Sequence, residues 1–513
     1  HGRRGHSHQG RSGQSAISDI HFFAPFTTIN RYAHRRGVTQ QCTDFASASL
    51  IGSKPDFDLP QGRRAPSHPL CAAMWTYHPD LLARPAPRYT SYPTAAEFTD
   101  AVGALDQAEA IRTLPRGSNI SLYVHIPFCR DICWYCGCNT GRVNRTHRVA
   151  DYLDALGAEI RTVSEQLGGR GTVSRIAFGG GSPNAISPID FVRLLDTLLV
   201  NFPVDNLELS VELDPRSFGE EWAVALGKSG VSRVSLGVQT FDAAIQQRIG
   251  RVQPTDTIRT ALARLRRHGI GSVNFDLMYG LPGQDIAILD ATLDETIMLR
   301  PERIALFGYA HVPHMLPRQR RIDAVTLPGQ AERFAMAAHG YRRLVDAGYV
   351  AVGFDHFALP GDPLAQAVMA GRLHRNFQGF TEDNCNTLIG FGASAISHLP
   401  NLFVQNQKNG GRYRMRASAP TLAGSRGVRI SAEDQIRGTI IEALLCGRAA
   451  DLSSLGDYSQ LEGPLASFVS RGLARFDGRL LSISPPGLPY ARTVAMLFDQ
   501  HRALNMGSFS AAV

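Results

Sequence analysis

The chain has 513 residues, 43% of them hydrophobic and 19% charged, which fits a soluble globular protein with a large core and more than one domain. No uninterrupted apolar run reaches membrane-spanning length, and no compact apolar stretch followed by a small-residue cleavage site opens the chain, so neither membrane insertion nor a secretory signal is expected. The formal charge of +8 does not indicate a nucleic-acid binder: nine Lys/Arg against four Asp in residues 1–73 carry most of it, and no basic stripe with interleaved aromatics follows.

Residues 1–73 open on HGRRGHSHQGRSGQS and show little apolar periodicity. Such a segment buries too little surface to offset its ordering entropy. It is expected to be a disordered extension or a gene-model artefact, with Met74 as the natural start. From about residue 121 a regular alternation begins. Apolar, β-branched runs at 122–128, 175–178, 207–213, 233–238, 273–278 and 303–309 read as strands. Stretches at 149–167, 188–202, 255–268 and 286–299 show helical spacing. Six strands alternating with helices imply a parallel sheet with right-handed crossovers. The pattern suits an open doubly wound sheet, a partial barrel and a full eight-fold barrel equally.

A helix is expected at 330–349 and a strand at 350–354. Beyond 431 the texture changes. Ser431 caps a helix running to 445, a second helix covers 461–476, and Asp477-Gly478 turns into a strand at 479–483. This reads as a small winged-helix-like domain. Its near-neutral charge favours a lid over a DNA reader.

The chemistry concentrates in Ser121–Thr140, SLYVHIPFCRDICWYCGCNT. A strand ends near Phe128, and Cys129, Cys133, Cys136 and Cys138 follow within ten residues. The first three form C-x₃-C-x₂-C, a loop able to set three thiolates around one cubane cluster. Iron–sulfur clusters ordinarily take four protein thiolates, so three leave one iron open for a small molecule. A four-cysteine zinc knuckle is the bland alternative, but zinc sites pair two C-x₂-C elements across a longer linker. Cys42, Cys71, Cys385 and Cys446 have no assigned role; the last two read as small buried hydrophobes.

C-x₃-C-x₂-C after a first strand resembles the signature of radical S-adenosylmethionine (SAM) enzymes. From Pro85 to about Ser508 the chain also resembles the oxygen-independent coproporphyrinogen III oxidases of that superfamily. The blocks PRYTSYPTAAEF, YVHIPFC, CGCN, GGGSP, VELDPR, SLGVQTF, NFDLMYGLPGQ, LHRNFQGF, GFGASAIS and QNQK carry the likeness. The resemblance implies an α/β fold: a partial (βα)₆ TIM-like barrel at 121–430, an N-terminal arm at 74–120 and a small helical, winged-helix-like domain at 431–513. It implies a [4Fe–4S] cluster on Cys129, Cys133 and Cys136, with Cys138 important but not a ligand. Tyr123, Gly180 and Glu212 would hold the cluster-bound SAM, with Ile396 near it. Tyr135, Gly181, Ser182, Gln239, Arg251, Asp276 and Ala310 would hold a second SAM.

The implied reaction is oxidative decarboxylation of two propionates of coproporphyrinogen III to vinyl groups, giving protoporphyrinogen IX, by a 5′-deoxyadenosyl radical. Gln378 would help shape the catalytic site, and Arg375 and Lys408 would meet substrate carboxylates. A flavodoxin or ferredoxin system would supply electrons to a cytoplasmic monomer that binds no nucleic acid. Ser182 departs from the family's usual Thr but keeps the hydroxyl. Three other readings stand beside this one: a heme chaperone of the same superfamily, a heme-modifying relative, and a zinc-bearing winged-helix regulator. Cys138 and Asn376 speak for the oxidase over the chaperone.

Overall fold

The computed structural model describes residues 75–143 and 146–502; the expected extension at 1–73 and Met74 lie outside the described residues. Six strands stand side by side in chain order, all parallel: β1 (Ser118–Ile126), β2 (Gly171–Gly180), β3 (Val204–Leu213), β4 (Arg233–Gln239), β5 (Ser272–Tyr279) and β6 (Arg303–Gly308). Parallel neighbours need long crossovers. These are α1 (Thr146–Leu167), α2 (Pro188–Asn201), α3 (Glu220–Lys228), α4 (Thr255–Arg267) and α5 (Ile286–Leu299), while α6 (Gln330–Asp346) follows β6. Helix starts obey local chemistry. Ser187 accepts from the Asp190 amide and Pro188 takes the first turn of α2, where a missing N–H is harmless.

β1 and β6 do not pair, so this is a partial barrel. On β6 the sheet continues through a hairpin, β7 (Val350–Val352) and β8 (His356–Ala358). Gly353, at φ 63°, ends β7 earlier than the expected 350–354 strand. A separate hairpin, β9 (His374–Asn376) and β10 (Gly379–Thr381), comes next. On the β1 side the sheet adds β11 (Leu388–Phe391), β12 (Ile396–Leu399), β13 (Leu402–Asn406) and β14 (Gly424–Arg429). The full order is β14-β13-β12-β11-β1-β2-β3-β4-β5-β6-β8-β7.

Strand alternation sorts side chains into a dry outer shell and a polar interior. On β5, Val273, Phe275, Leu277 and Tyr279 are buried against the helices, while Ser272, Asn274, Asp276 and Met278 take the other face. α4 meets that shell with Ile258, Ala261, Leu262 and Leu265, an i, i+3, i+4, i+7 stripe. Each such side chain contributes roughly 1.5–3 kcal/mol by leaving water.

Near the N-terminal ends of the strands the interior is ionic. Arg175 of β2 and Arg233 of β4 both pair with Glu208 of β3, at 3.0 and 2.5 Å. Arg175, Arg233 and Arg303 of β6 all reach Glu382, just past β10. Arg303 also pairs with Asp362 at 2.7 Å, and Ser121 of β1 donates to Asp383 at 2.5 Å. The three guanidiniums hold the Glu382 carboxyl far below the usual carboxylate range, against the opposing effect of burial, which is the largest single influence.

Past β14 come α7 (Ala432–Leu445), β15 (Ala450–Asp451), α8 (Ser459–Val469), β16 (Ala474–Phe476) and β17 (Leu480–Ile483). The three strands form an antiparallel sheet in the order β15-β17-β16. The expected helix 461–476 is therefore too long. Gly472, at φ 70°, closes α8: its amide donates to Val469 O and that of Leu473 to Phe468 O, so 474–476 is released as a wing strand. A short terminal helix, Ala491–Ala495, packs on α7. The N-terminal segment ties onto this region: Tyr490 Oη accepts from the His78 amide at 2.8 Å, and Tyr89 Oη donates to Asp499 at 2.9 Å.

Candidate active site

The cysteine loop leaves the end of β1 and returns to its own base. The amide of Gly141 donates to Pro127 O at 3.0 Å and that of Val143 to Cys129 O at 2.9 Å, closing residues 130–140 into a ring. The Trp134 amide, bonded to Ile249 O at 3.0 Å, anchors the far side. Cys129 Sγ lies 3.1 Å from Thr140 Oγ1. Cys133, buried, accepts from Arg251 Nη1 at 3.2 Å and Arg216 Nη2 at 3.4 Å. Cys136 Sγ accepts from the Cys138 amide at 3.4 Å. A hydrogen bond with Cys138, opposed by burial and helped by Arg318 and Arg251, pulls the Cys136 thiol below its ordinary pKa, while Cys138 is pushed up. Burial pushes Cys129 up to about 11.

This donor set fits an iron–sulfur cluster. Two guanidiniums donate to the one sulfur of Cys133, an arrangement that suits a metal-ligating sulfur. Among the described residues no three His, Cys, Asp or Glu side chains gather closely enough for a single metal ion. A cubane spreads its thiolates over separate corners, so it asks for no such convergence. Cys129, Cys133 and Cys136 would hold the cluster there.

The glycine motif packs against the base of the same loop. A Cβ on Gly181 would stand 2.4 Å from Thr140 Oγ1 and 2.5 Å from Phe128 O, and the Ser182 amide donates to Phe128 O at 2.7 Å. Gly180 has φ 114°, and a Cβ there would meet the His125 ring at 2.7 Å. His125 was not singled out from the sequence, although it sits within YVHIPFC. Its ring lies 3.2 Å from Tyr123 Oη and 3.0 Å from Asn139 O, and burial lowers its pKa against the effect of that carbonyl.

Inside the barrel, a cavity of about 310 Å³ collects Glu212, Asp276 and Gln378 and reaches down to Arg233 and Arg303. Phe307, His356, Asn376 and Phe380 also line it. Burial and the facing charge of Asp276 push Glu212 up to about 7, despite a 3.3 Å hydrogen bond from the Gly180 amide. Asp276 is likewise raised by burial, although Ser235 and Asn274 donate to it at 2.9 and 2.8 Å. Two facing carboxyls that form no ion pair among the described residues suit the ammonium or ribose hydroxyls of a nucleoside ligand.

The remaining expected residues fall in separate places. Arg251 is already engaged by Cys133, by Gly237 O at 2.6 Å and by Asp214 at 3.4 Å; only its Nε has no partner. Gln239 stands at φ 68°, an unusual backbone state outside glycine. Tyr135 and Ala310 are joined through Gln319, whose Nε2 donates to both carbonyls at 2.9 and 3.0 Å. Nothing in the sequence marked Gln319. The Ser182 hydroxyl turns to Asn184, which in turn brackets the backbone of Asp214. Ile396 crosses beside Gly390, where a Cβ would meet its backbone at 2.6 Å. Tyr123 packs edge-on to Phe377 at 4.7 Å. Lys408 sits by the cysteine loop, its carbonyl accepting from Asn139 at 3.1 Å.

Known proteins share this arrangement. The sequence model of the Radical SAM superfamily matches residues 123–296. The solved structure titled "Coproporphyrinogen III oxidase (HemN) from Escherichia coli is a Radical SAM enzyme" superposes with a TM-score of 0.78 at 33% identity, covering 83% of this chain and 100% of that one. Fold and cysteine loop together define a radical SAM protein. The oxygen-independent coproporphyrinogen III oxidase of Bradyrhizobium diazoefficiens is 41% identical over 427 residues, 81% of this chain and 94% of that protein. Its Pseudomonas aeruginosa counterpart is 37% identical over 451 residues, 85% and 98% of the two chains. The chain belongs to the oxygen-independent coproporphyrinogen III oxidase family.

Proposed function

We propose that this protein converts two propionates of coproporphyrinogen III to vinyl groups without oxygen, giving protoporphyrinogen IX. The observation that carries the reading is the junction of the cysteine loop, the glycine motif and the Glu212–Asp276 cavity at one end of the barrel, in a chain that matches 94% of an oxidase so named. When bound, the [4Fe–4S] cluster and SAM supply a 5′-deoxyadenosyl radical for hydrogen abstraction.

The protein's own residues bind and exclude. Cys129, Cys133 and Cys136 would hold the cluster, with Arg216 and Arg251 donating to Cys133 Sγ. Tyr123, Gly180, Glu212 and Ile396 serve one SAM. Tyr135, Gly181, Ser182, Gln239, Arg251, Asp276 and Ala310 serve a second, with Gln319 positioning Tyr135 and Ala310. Gln378, on the β9–β10 turn, closes the cavity, and Cys138 acts beside the cluster. The arm at 74–120, the catalytic barrel at 121–430 and the region from 431 are its working parts. Family resemblance supports a cytoplasmic monomer reduced by a flavodoxin or ferredoxin system. Among the described residues no helix is long and apolar enough to cross a membrane.

The test is anaerobic reconstitution with iron, sulfide, dithionite, SAM and coproporphyrinogen III. Vinyl-bearing product with one methionine released per decarboxylation is expected. Tight heme binding without turnover would favour the chaperone reading instead, and a colourless zinc-loaded protein the regulator.

A further inference from the structure

Four arginines from four distant parts of the chain meet at the mouth of the barrel. Arg88 of the N-terminal segment donates to Gly308 O, at the end of β6, at 3.1 Å and lies over the Phe307 ring at 5.6 Å. Arg333 of α6 points at the same place: a Cβ on Gly308 would sit 3.3 Å from its Nη2, and one on Gly280 3.1 Å from its Nε. Arg375 of β9 lies over Phe380 at 4.4 Å and Phe354 at 5.4 Å, donating to the carbonyls of Tyr89 and Arg88 at 3.2 and 3.1 Å. Arg492 of the terminal helix lies over Phe354 at 5.8 Å.

None of the four has a carboxylate at ion-pair distance among the described residues. The buried Nη1 of Arg375 and Nε of Arg333 have no hydrogen-bond partner at all. The acids whose charge reaches them, Asp355 and Glu442, make their hydrogen bonds to groups other than these guanidiniums. Asp355 accepts from His356 Nδ1 at 2.7 Å, and Glu442 accepts the Arg375 amide at 2.9 Å while pairing with His374 and Arg448. Burial and mutual repulsion with Arg88 lower Arg492 to about 10. A guanidinium cannot escape burial by losing its proton. Three half-buried guanidiniums and the exposed Arg88, gathered on aromatic rings without an ion-pair partner, therefore suit an incoming anion. Phe307 and Phe380, beneath two of them, also line the cavity that holds Glu212 and Asp276.

We propose that Arg88, Arg333, Arg375 and Arg492 form the subsite for carboxylate side chains of the substrate, holding some propionates while another is presented to the cavity. The inference rests on the proposed function, since it needs a polycarboxylate tetrapyrrole. Arg375 was expected from its sequence block; the other three were not, and Lys408 takes no part in the group.

The probes are coproporphyrin III, a stable tetracarboxylate, and its tetramethyl ester, titrated by fluorescence quenching into the reconstituted full chain. Arg333→Met and Arg492→Met should each weaken tetracarboxylate binding about ten-fold or more and raise KM for coproporphyrinogen III. Ester binding and the brown cluster absorption should match the unmodified protein. Should a Met variant fail to fold, its Lys counterpart decides: charge without the fork should leave intermediate affinity. Unchanged tetracarboxylate affinity in the folded variants, with the unmodified protein still making vinyl product, would overturn the subsite alone. Arginine-dependent binding without any vinyl product would overturn the function and leave the subsite standing.

Discussion

The barrel has arginine groups at both ends, and they differ in one respect. At the floor, Arg175, Arg233 and Arg303 are matched by Glu208, Glu382 and Asp362 at ion-pair distance. At the mouth, Arg88, Arg333, Arg375 and Arg492 have no such match among the described residues, and in the cavity Glu212 faces Asp276 with no ion pair to either. A balanced buried network holds shape. An unbalanced one is tolerated because a charged ligand completes it.

The contrast breaks most readily at the floor. Glu382→Gln removes the carboxylate shared by three mostly buried guanidiniums and should cost about 3 kcal/mol in chemical unfolding. The same carboxyl sets an acid limit. Its folded pKa is depressed, so its stabilisation is complete above the unfolded carboxylate value and is lost as pH falls below it. Thermal scans from pH 6 down to 3 should show a steep fall that the Gln variant flattens.

In the cavity the sign reverses. The pKa of Glu212 is raised to about 7, so its contribution is complete below the unfolded carboxylate value, near 4.3, and is lost as pH rises through 7. Glu212→Gln should therefore stabilise the ligand-free protein at pH 8 by on the order of 2 kcal/mol and have little effect at pH 4.5. A destabilised variant at pH 8 would show that this carboxylate is paired after all. The smallest effect belongs to Arg492→Met, which should change ligand-free stability by less than about 1 kcal/mol, since no hydrogen bond or ion pair is lost. A loss as large as that of Glu382→Gln would erase the distinction between floor and mouth.

The repeating αβ core was legible because its strands are β-branched runs and its helices long enough to show their period. α3 escaped notice: Glu220–Lys228 spans little more than two turns, too few for an apolar stripe to declare itself. β11 to β14 escaped because Leu388–Phe391 and its partners are only four to six residues long and broken by Gly390 and Gly392. The cysteine loop and glycine motif were legible as contiguous patterns. Gln319 and the mouth arginines were not. Arg88 and Arg492 lie some 400 positions apart, and only the docking of the N-terminal segment onto the terminal helix brings them together.

The β9–β10 hairpin pairs with no other strand of the sheet; its foot, Glu382, is clasped by arginines of β2, β4 and β6, and its tip carries Asn376 and Gln378 to the cavity. That wall of the catalytic chamber is thus moored by charge. Because the folded protein keeps the Glu382 carboxyl ionised far below the ordinary carboxylate range, acid should free this wall only as the barrel itself gives way.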